Sequence, residues 1–125
     1  MYKFRWRDAF IVFIMAGACG KPIPTIEGLN QNDWKNDKNG CSGNRADIVD
    51  NIVEERAKLL SLDELKIVAL LGKPDQNELY TRNQKFYYYF VDPSPACDNH
   101  NAAHQRRLVV RFNAVGLANE ILVEE

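Results

Sequence analysis

The segment from Met1 to Cys19 constrains this chain more than any other, because it decides how much of the chain is left to fold and in which compartment. Lys3, Arg5 and Arg7 are followed by an uncharged apolar run from Ala9 to Ala18. A basic stretch, an apolar stretch and small residues, in that order, make a secretory signal peptide. As a helix the run would rise only about 15 Å, whereas a bilayer core needs ~20 apolar residues. It is therefore expected to be removed rather than kept as an anchor helix, leaving one small domain.

The sequence Ala16-Gly17-Ala18-Cys19-Gly20 resembles the bacterial lipoprotein box, with Ala16 where leucine is usual. The resemblance implies a lipoprotein-type signal peptide over residues 1–18 and a diacylglyceryl thioether on Cys19, the new first residue. Each buried CH₂ of a lipid contributes about 0.8 kcal/mol, so two or three acyl chains hold a protein to a membrane durably. Gly20 is not the aspartate that retains many such lipoproteins at the inner membrane, which favours the outer membrane. Pro22 and Pro24 oppose helix and extend the residues before them. Residues 19–43 are accordingly expected to form a lipid-anchored tether and loop, with the folded domain over 44–125.

The chain has 46% hydrophobic and 26% charged residues, the balance of a globular domain rather than a disordered one. Its formal net charge is -1, from 16 basic and 17 acidic residues. Removing residues 1–18 takes away three basic residues and Asp8, leaving 13 against 16, a net charge of -3. No cationic face for a row of phosphates is legible in that balance, so nucleic acid is not an expected partner.

With Cys19 acylated, Cys41 and Cys97 are left as one pair, and an oxidising periplasm would join them as a disulfide. The competing reading is a zinc site from Cys41, Cys97, His100 and His104, since Cys97-x2-His100-x3-His104 has tolerable spacing. A disulfide would consume both thiolates, and the ligands crowd one polar loop. Metal is not the expected outcome, and no cofactor is. A calcium loop with Gly40 at its sixth position would start on Lys35 and end on Ala46, neither of which coordinates.

Asn30 to Gly43 is polar and punctuated by glycine, and is expected to be a loop whose Trp34 packs back on the domain. Asn44 reads as a cap. From Arg45 the apolar positions Ile48, Val49, Ile52, Val53, Ala57 and Leu60 recur at helical steps, predicting a helix that ends near Leu60. Ser61-Leu-Asp-Glu64 reads as a capping box opening a second helix through Leu71, stopped by Gly72 and Pro74. Lys85 to Val91 is the strongest strand signal, with Phe86, Tyr88 and Phe90 on one face and Tyr87, Tyr89 and Val91 on the other. Arg107 to Phe112 and Leu117 to Val123 follow as strands, joined by a turn at Asn113 to Gly116. The order implies an α+β fold in which two helices pack on a three-stranded antiparallel sheet, a two-layer sandwich.

Catalysis needs convergent groups. The candidates Asp98, His100 and His104 share one polar loop without a nucleophile beside them, so a solvated loop is the expected reading and the chain is not expected to be an enzyme. The tyrosine stripe lacks the basic companions of a base-stacking platform. Tyr87 and Tyr89, with the Cys97 loop, are the expected protein-binding surface, because tyrosine supplies rigid amphipathic contact area.

From about Leu62 to Val123 the chain resembles the SmpA/OmlA family of outer-membrane lipoproteins. The likeness is carried by a short helix ending in Leu71-Gly-Lys-Pro74, the aromatic strand Phe86 to Phe90, and Leu108-Val-Val-Arg-Phe-Asn-Ala-Val-Gly116. It implies two helices on a three-stranded antiparallel sheet, a lipid-anchored periplasmic location, envelope proteins as partners and a role in outer-membrane assembly or integrity. Cys41 and Cys97 stand outside the family pattern. The same module is similar to that of β-lactamase inhibitory proteins, which present a sheet face to another protein, so a soluble periplasmic inhibitor or ligand carrier is the alternative.

Overall fold

A computed structural model describes residues 21–125; the signal-peptide reading and Cys19 fall outside them. The described chain is α+β, with three helices on one face of a four-stranded antiparallel sheet. Helices α1 (Gln31–Asn36), α2 (Asn44–Glu54) and α3 (Glu64–Leu71) come first. Strands β1 (Gln76–Leu79), β2 (Lys85–Phe90), β3 (Arg107–Phe112) and β4 (Ala118–Glu124) then form a meander in sequence order.

The expected sheet of three strands gains β1. This strand is polar and exposed along its whole length, so no alternation marks it. It is placed by pairing with β2, with Gln76 opposite Tyr88 and Leu79 opposite Lys85. A short polar strand also suits an edge, where an apolar one would invite further pairing.

Residues 21–43 hold two side chains of the core. Ile26 and Trp34 are buried in the core. Asn30 caps α1 by accepting the Asp33 N–H at 3.1 Å, giving a one-turn helix where a loop was expected. Trp34 was expected to turn inward and is fully buried. Before it, residues 21–30 lie as a strap against the helices. Lys21 Nζ donates to the Leu60 carbonyl at 2.7 Å, Lys58 Nζ to that of Thr25 at 3.2 Å, and Lys66 Nζ to that of Lys21. Asn51 reaches the Gly28 carbonyl at 3.3 Å.

Helix α2 buries Ile48, Val49 and Ile52 as its periodicity predicts, but stops at Glu54 instead of Leu60. A 3₁₀ turn over Arg56–Lys58 brings Leu59 into the core and leaves Ala57 and Leu60 outside. The chain must turn there to meet the sheet: Ser61 N–H bonds the Ala118 carbonyl and Ala118 N–H bonds the Leu62 carbonyl, both at 2.8 Å. Asn44 is not the cap of α2. Gly43 stands before the helix at φ 85, and the buried Asp37 carboxylate accepts the Ser42 and Arg45 N–H groups at 2.6 and 2.9 Å. Ser61 does not form the expected capping box either. Its backbone is left-handed at φ 73, and Asp63 caps α3 by accepting the Lys66 N–H at 2.9 Å. That frees Glu64 to face the sheet. Gly72 ends α3 as expected, at φ 83.

The inner face of the sheet supplies Tyr89, Leu108, Val110, Phe112, Ala118 and Ile121 to the core, against Ile67, Leu70 and Leu71 of α3. Cys41 and Cys97 form a disulfide with their Cα atoms 5.5 Å apart, tying the turn after α1 to the loop between β2 and β3.

Candidate functional site

Strand alternation gives the sheet two faces, and the helices cover one of them. Pairing carries the other face across the strands: Gln76, Tyr88, Val109 and Leu122 lie in one row, and Glu78, Phe86, Arg111 and Glu120 in the next. Phe90, Arg107 and Glu124 form a third. The result is an aromatic ridge on β2 beside two arginines on β3.

These side chains hold one another. The Arg107 guanidinium lies 3.8 Å from the Tyr88 ring centroid, with Nε donating to Glu124 at 2.6 Å. Arg111 Nε donates to Glu120 at 3.0 Å. The Tyr88 hydroxyl donates to Glu78 at 2.5 Å. Burial and the Glu78 carboxylate push that phenol far above its usual range, so it stays a donor at neutral pH. The Phe86 ring stacks on Tyr88 at 6.3 Å and meets Tyr80 at 4.6 Å. Each arginine is oriented by a carboxylate and pre-ordered on the sheet, which lowers the entropy lost when a partner arrives.

The two tyrosines expected to bind a partner point the other way. Tyr89 is fully buried, and its hydroxyl donates to the Gly72 carbonyl at 2.8 Å, satisfying the end of α3. Tyr87 packs against the core with its ring 4.7 Å from Phe112, and its hydroxyl donates to Glu64 at 2.7 Å. Desolvation pushes the Tyr87 phenol up to about 12, with Glu64 adding to the rise. Desolvation raises the Glu64 carboxyl as well, but the hydrogen bonds from Tyr87 and Lys85 outweigh it and hold that group below the usual carboxylate range. Tyr89 is thus interior, and Tyr87 is half-buried on the helix-covered side of the sheet.

Both faces of β2 carry aromatic residues, so its sequence alone does not say which one is covered. Phe86, Phe90, Arg107 and Arg111 were missed for that reason. The available signal is in β3, where Arg107 and Arg111 share a face opposite Leu108, Val110 and Phe112. Pairing of Phe86 with Arg111 and Phe90 with Arg107 then assigns the faces of β2.

The four-ligand zinc set is not assembled, because Cys41 and Cys97 are bonded to each other. His100 Nδ1 lies 3.0 Å from the Pro93 carbonyl, while Asp98 and His104 are exposed. Among the described residues no three His, Cys, Asp or Glu side chains gather as a metal site, and no helix is long and apolar enough to cross a membrane. No family model, curated protein or solved structure matches the chain.

Proposed function

We propose that this chain is a lipid-anchored protein of a bacterial cell envelope, facing the periplasm with the outer membrane favoured, and that it works by binding other proteins. The observation that carries the binding role is the sheet face turned away from the helices, where part-exposed Phe86 and Phe90 stand beside Arg107 and Arg111 over a buried Tyr88. Aromatic residues and arginine are the side chains most enriched at the energetic centres of protein interfaces. Here they sit on paired strands rather than on a mobile loop, ready to meet a partner without rearrangement.

The compartment is supported independently. A disulfide joining Cys41 and Cys97 belongs to an oxidising environment. The lipobox-like residues ending at Cys19 direct the chain there and attach it to a membrane. The resemblance to the SmpA/OmlA family adds a role in outer-membrane assembly or integrity. In that comparison α1, β1 and the disulfide are this chain's own additions to the helix-helix-sheet order.

Capture of envelope partners by the intact protein, solubilised gently, tests this reading. Phe86→Ser with Arg107→Glu should lower recovery of stoichiometric partners by about tenfold or more, as hot-spot losses do. Tyr87→Phe, on the covered face, should leave recovery unchanged. Recovery of no partner, or equal recovery by both variants, would sink the binding role. Mass spectrometry of the mature N-terminus tests the anchor: Cys19 should lead the chain and carry acyl groups.

A further inference from the structure

Cys19 is two residues before Lys21, a span of at most about 7 Å in extended chain. Lys21 is docked on the domain, with Nζ on the Leu60 carbonyl and its own carbonyl accepting Lys66 Nζ. One headgroup layer is about 5–8 Å thick. A lipid on Cys19 therefore leaves no slack for the domain to stand clear of the bilayer.

The surface around Lys21 suits that position. Leu65 is 82% exposed beside Lys66, and Val115 is 77% exposed in the turn whose Gly116 approaches Glu64. Ile23 is half exposed on the strap between Lys21 and Thr25. Leu79, 66% exposed, borders the same end across a groove shared with Glu64 and Val115. Leu79 and Val115 share that groove, and apolar side chains grouped on an open surface mark an interaction site. Among the charges, Lys21 and Lys66 donate to carbonyls, and no described carboxylate lies within ion-pair distance of either. Lys58 pairs with Glu55 at 2.7 Å, Glu64 pairs with Lys85 at 3.0 Å, and Asp63 caps α3. Two ammonium groups without a carboxylate partner thus stand beside the anchor, as Lys35, Lys38 and Lys73 do elsewhere among the described residues.

We propose that the end of the domain bearing Ile23, Leu65 and Val115 with Lys21 and Lys66 is seated on anionic lipid headgroups, a surface that rests on the anchored reading above. Leucine, isoleucine and valine enter the headgroup layer while the lysines meet lipid phosphates, the division of labour of an interfacial amphipathic surface. The strands then lead away from the membrane. Lys85, Phe112 and Ala118 mark the near end of β2, β3 and β4, and Phe90, Arg107 and Glu124 the far end. The open aromatic face is carried along the strands into the periplasm, free for a partner.

Amide hydrogen exchange of the full mature lipoprotein tests this, comparing detergent micelles, phosphatidylcholine vesicles, and vesicles of equal parts phosphatidylethanolamine and phosphatidylglycerol. Exchange over residues 21–26, 60–66 and 113–117 should slow by about threefold or more on the anionic vesicles, with residues 105–109 at the far end of the sheet unchanged. Leu65→Ser with Val115→Ser, both at exposed positions, should abolish the slowing while the protein still floats with the vesicles. Equal exchange in all three settings by a protein that floats would overturn the seating and leave the anchor intact. Slowing that appears in detergent and grows with protein concentration would assign the patch to a second copy and overturn the proposal. A protein that neither floats nor carries acyl groups on Cys19 would remove the anchor, and the seating with it.

Discussion

Arg45 and Asp75 form a buried ion pair, with Nη1 2.6 Å from Oδ2 and side chains only 1% and 5% exposed. Arg45 opens α2, and Asp75 immediately precedes β1. The guanidinium also donates to the carbonyls of Trp34 at 2.9 Å and Phe90 at 3.2 Å, and it lies 5.1 and 5.7 Å from the Trp34 and Tyr89 ring centroids. Asp75 in turn accepts the N–H groups of Asn39 and Phe90 at 3.1 and 2.8 Å. One pair thus joins α1, α2 and the far end of β2.

Removing one member leaves the other charged and buried. Asp75→Ala should cost about 3–5 kcal/mol, the range for breaking a buried pair, whereas Arg45→Met with Asp75→Leu should recover part of that loss. Urea unfolding with the disulfide intact measures both. A single variant within 1 kcal/mol of the parent protein would show that the pair has no structural role.

The disulfide acts on the unfolded chain. Closing a loop with a sequence separation of 56 restricts the denatured ensemble by about 4 kcal/mol in the chain-entropy model. Cys41→Ala with Cys97→Ala should lower stability toward that amount and raise the urea m-value, because the freed chain exposes more surface. A change in unfolding free energy below about 0.5 kcal/mol would mean that the loop is ordered without it.

Two left-handed glycines should respond differently to the same substitution. A Cβ on Gly40, at φ 70, would sit 2.7 Å from the Asp92 carbonyl oxygen and 2.9 Å from that of Phe90. These are backbone atoms that cannot swing aside. Gly43, at φ 85, has open space around it. Gly43→Ala should cost about 1 kcal/mol for the backbone conformation alone, and Gly40→Ala clearly more. Thermal unfolding of the two variants side by side makes the comparison, and equal costs would contradict it.

In acid, the Arg106 guanidinium hydrogen-bonded to Asp92 at 2.9 and 3.1 Å holds that carboxyl below the usual carboxylate range. A depressed folded pKa contributes stability above the unfolded value, about 3.9, that is lost as pH falls through the folded one. Arg106→Gln should therefore be less stable than the parent at neutral pH, with the gap closing below about pH 4. A gap that stays constant into acid would remove Asp92 from the account.

In alkali the sign reverses. The Tyr87 phenol, raised to about 12, keeps its proton in the folded protein where the unfolded chain loses it near 10. Its contribution is complete below about pH 10 and declines as pH rises toward the folded value. Tyr87→Phe should flatten the fall in stability between these limits, read from urea midpoints across that range. An unchanged slope would assign the alkaline loss to other groups.

Much of the fold was legible because its determinants are local. Ile48, Val49 and Ile52 mark one helix by spacing, Gly72 and Pro74 end another, and Asn113 to Gly116 turns β3 into β4. The interior placement of Trp34 and the pairing of Cys41 with Cys97 were legible as well. Which face of β2 the helices cover was not, since a strand aromatic on both sides carries no sign of it.

Sequence by itself determined the elements whose cause lies within a few residues: helical periodicity, strand alternation, glycine stops and a cysteine pair. Tertiary structure alone decided that α2 stops at Glu54, that a polar strand joins the sheet at Gln76, and that the strap is bound from Lys21. It also decided that the faces of β2 sort by their partners on β3. Each of these depends on residues distant in sequence, such as Ala118 against Ser61 or Arg111 against Phe86. Burial and register are properties of such pairs, and no local pattern contains both members.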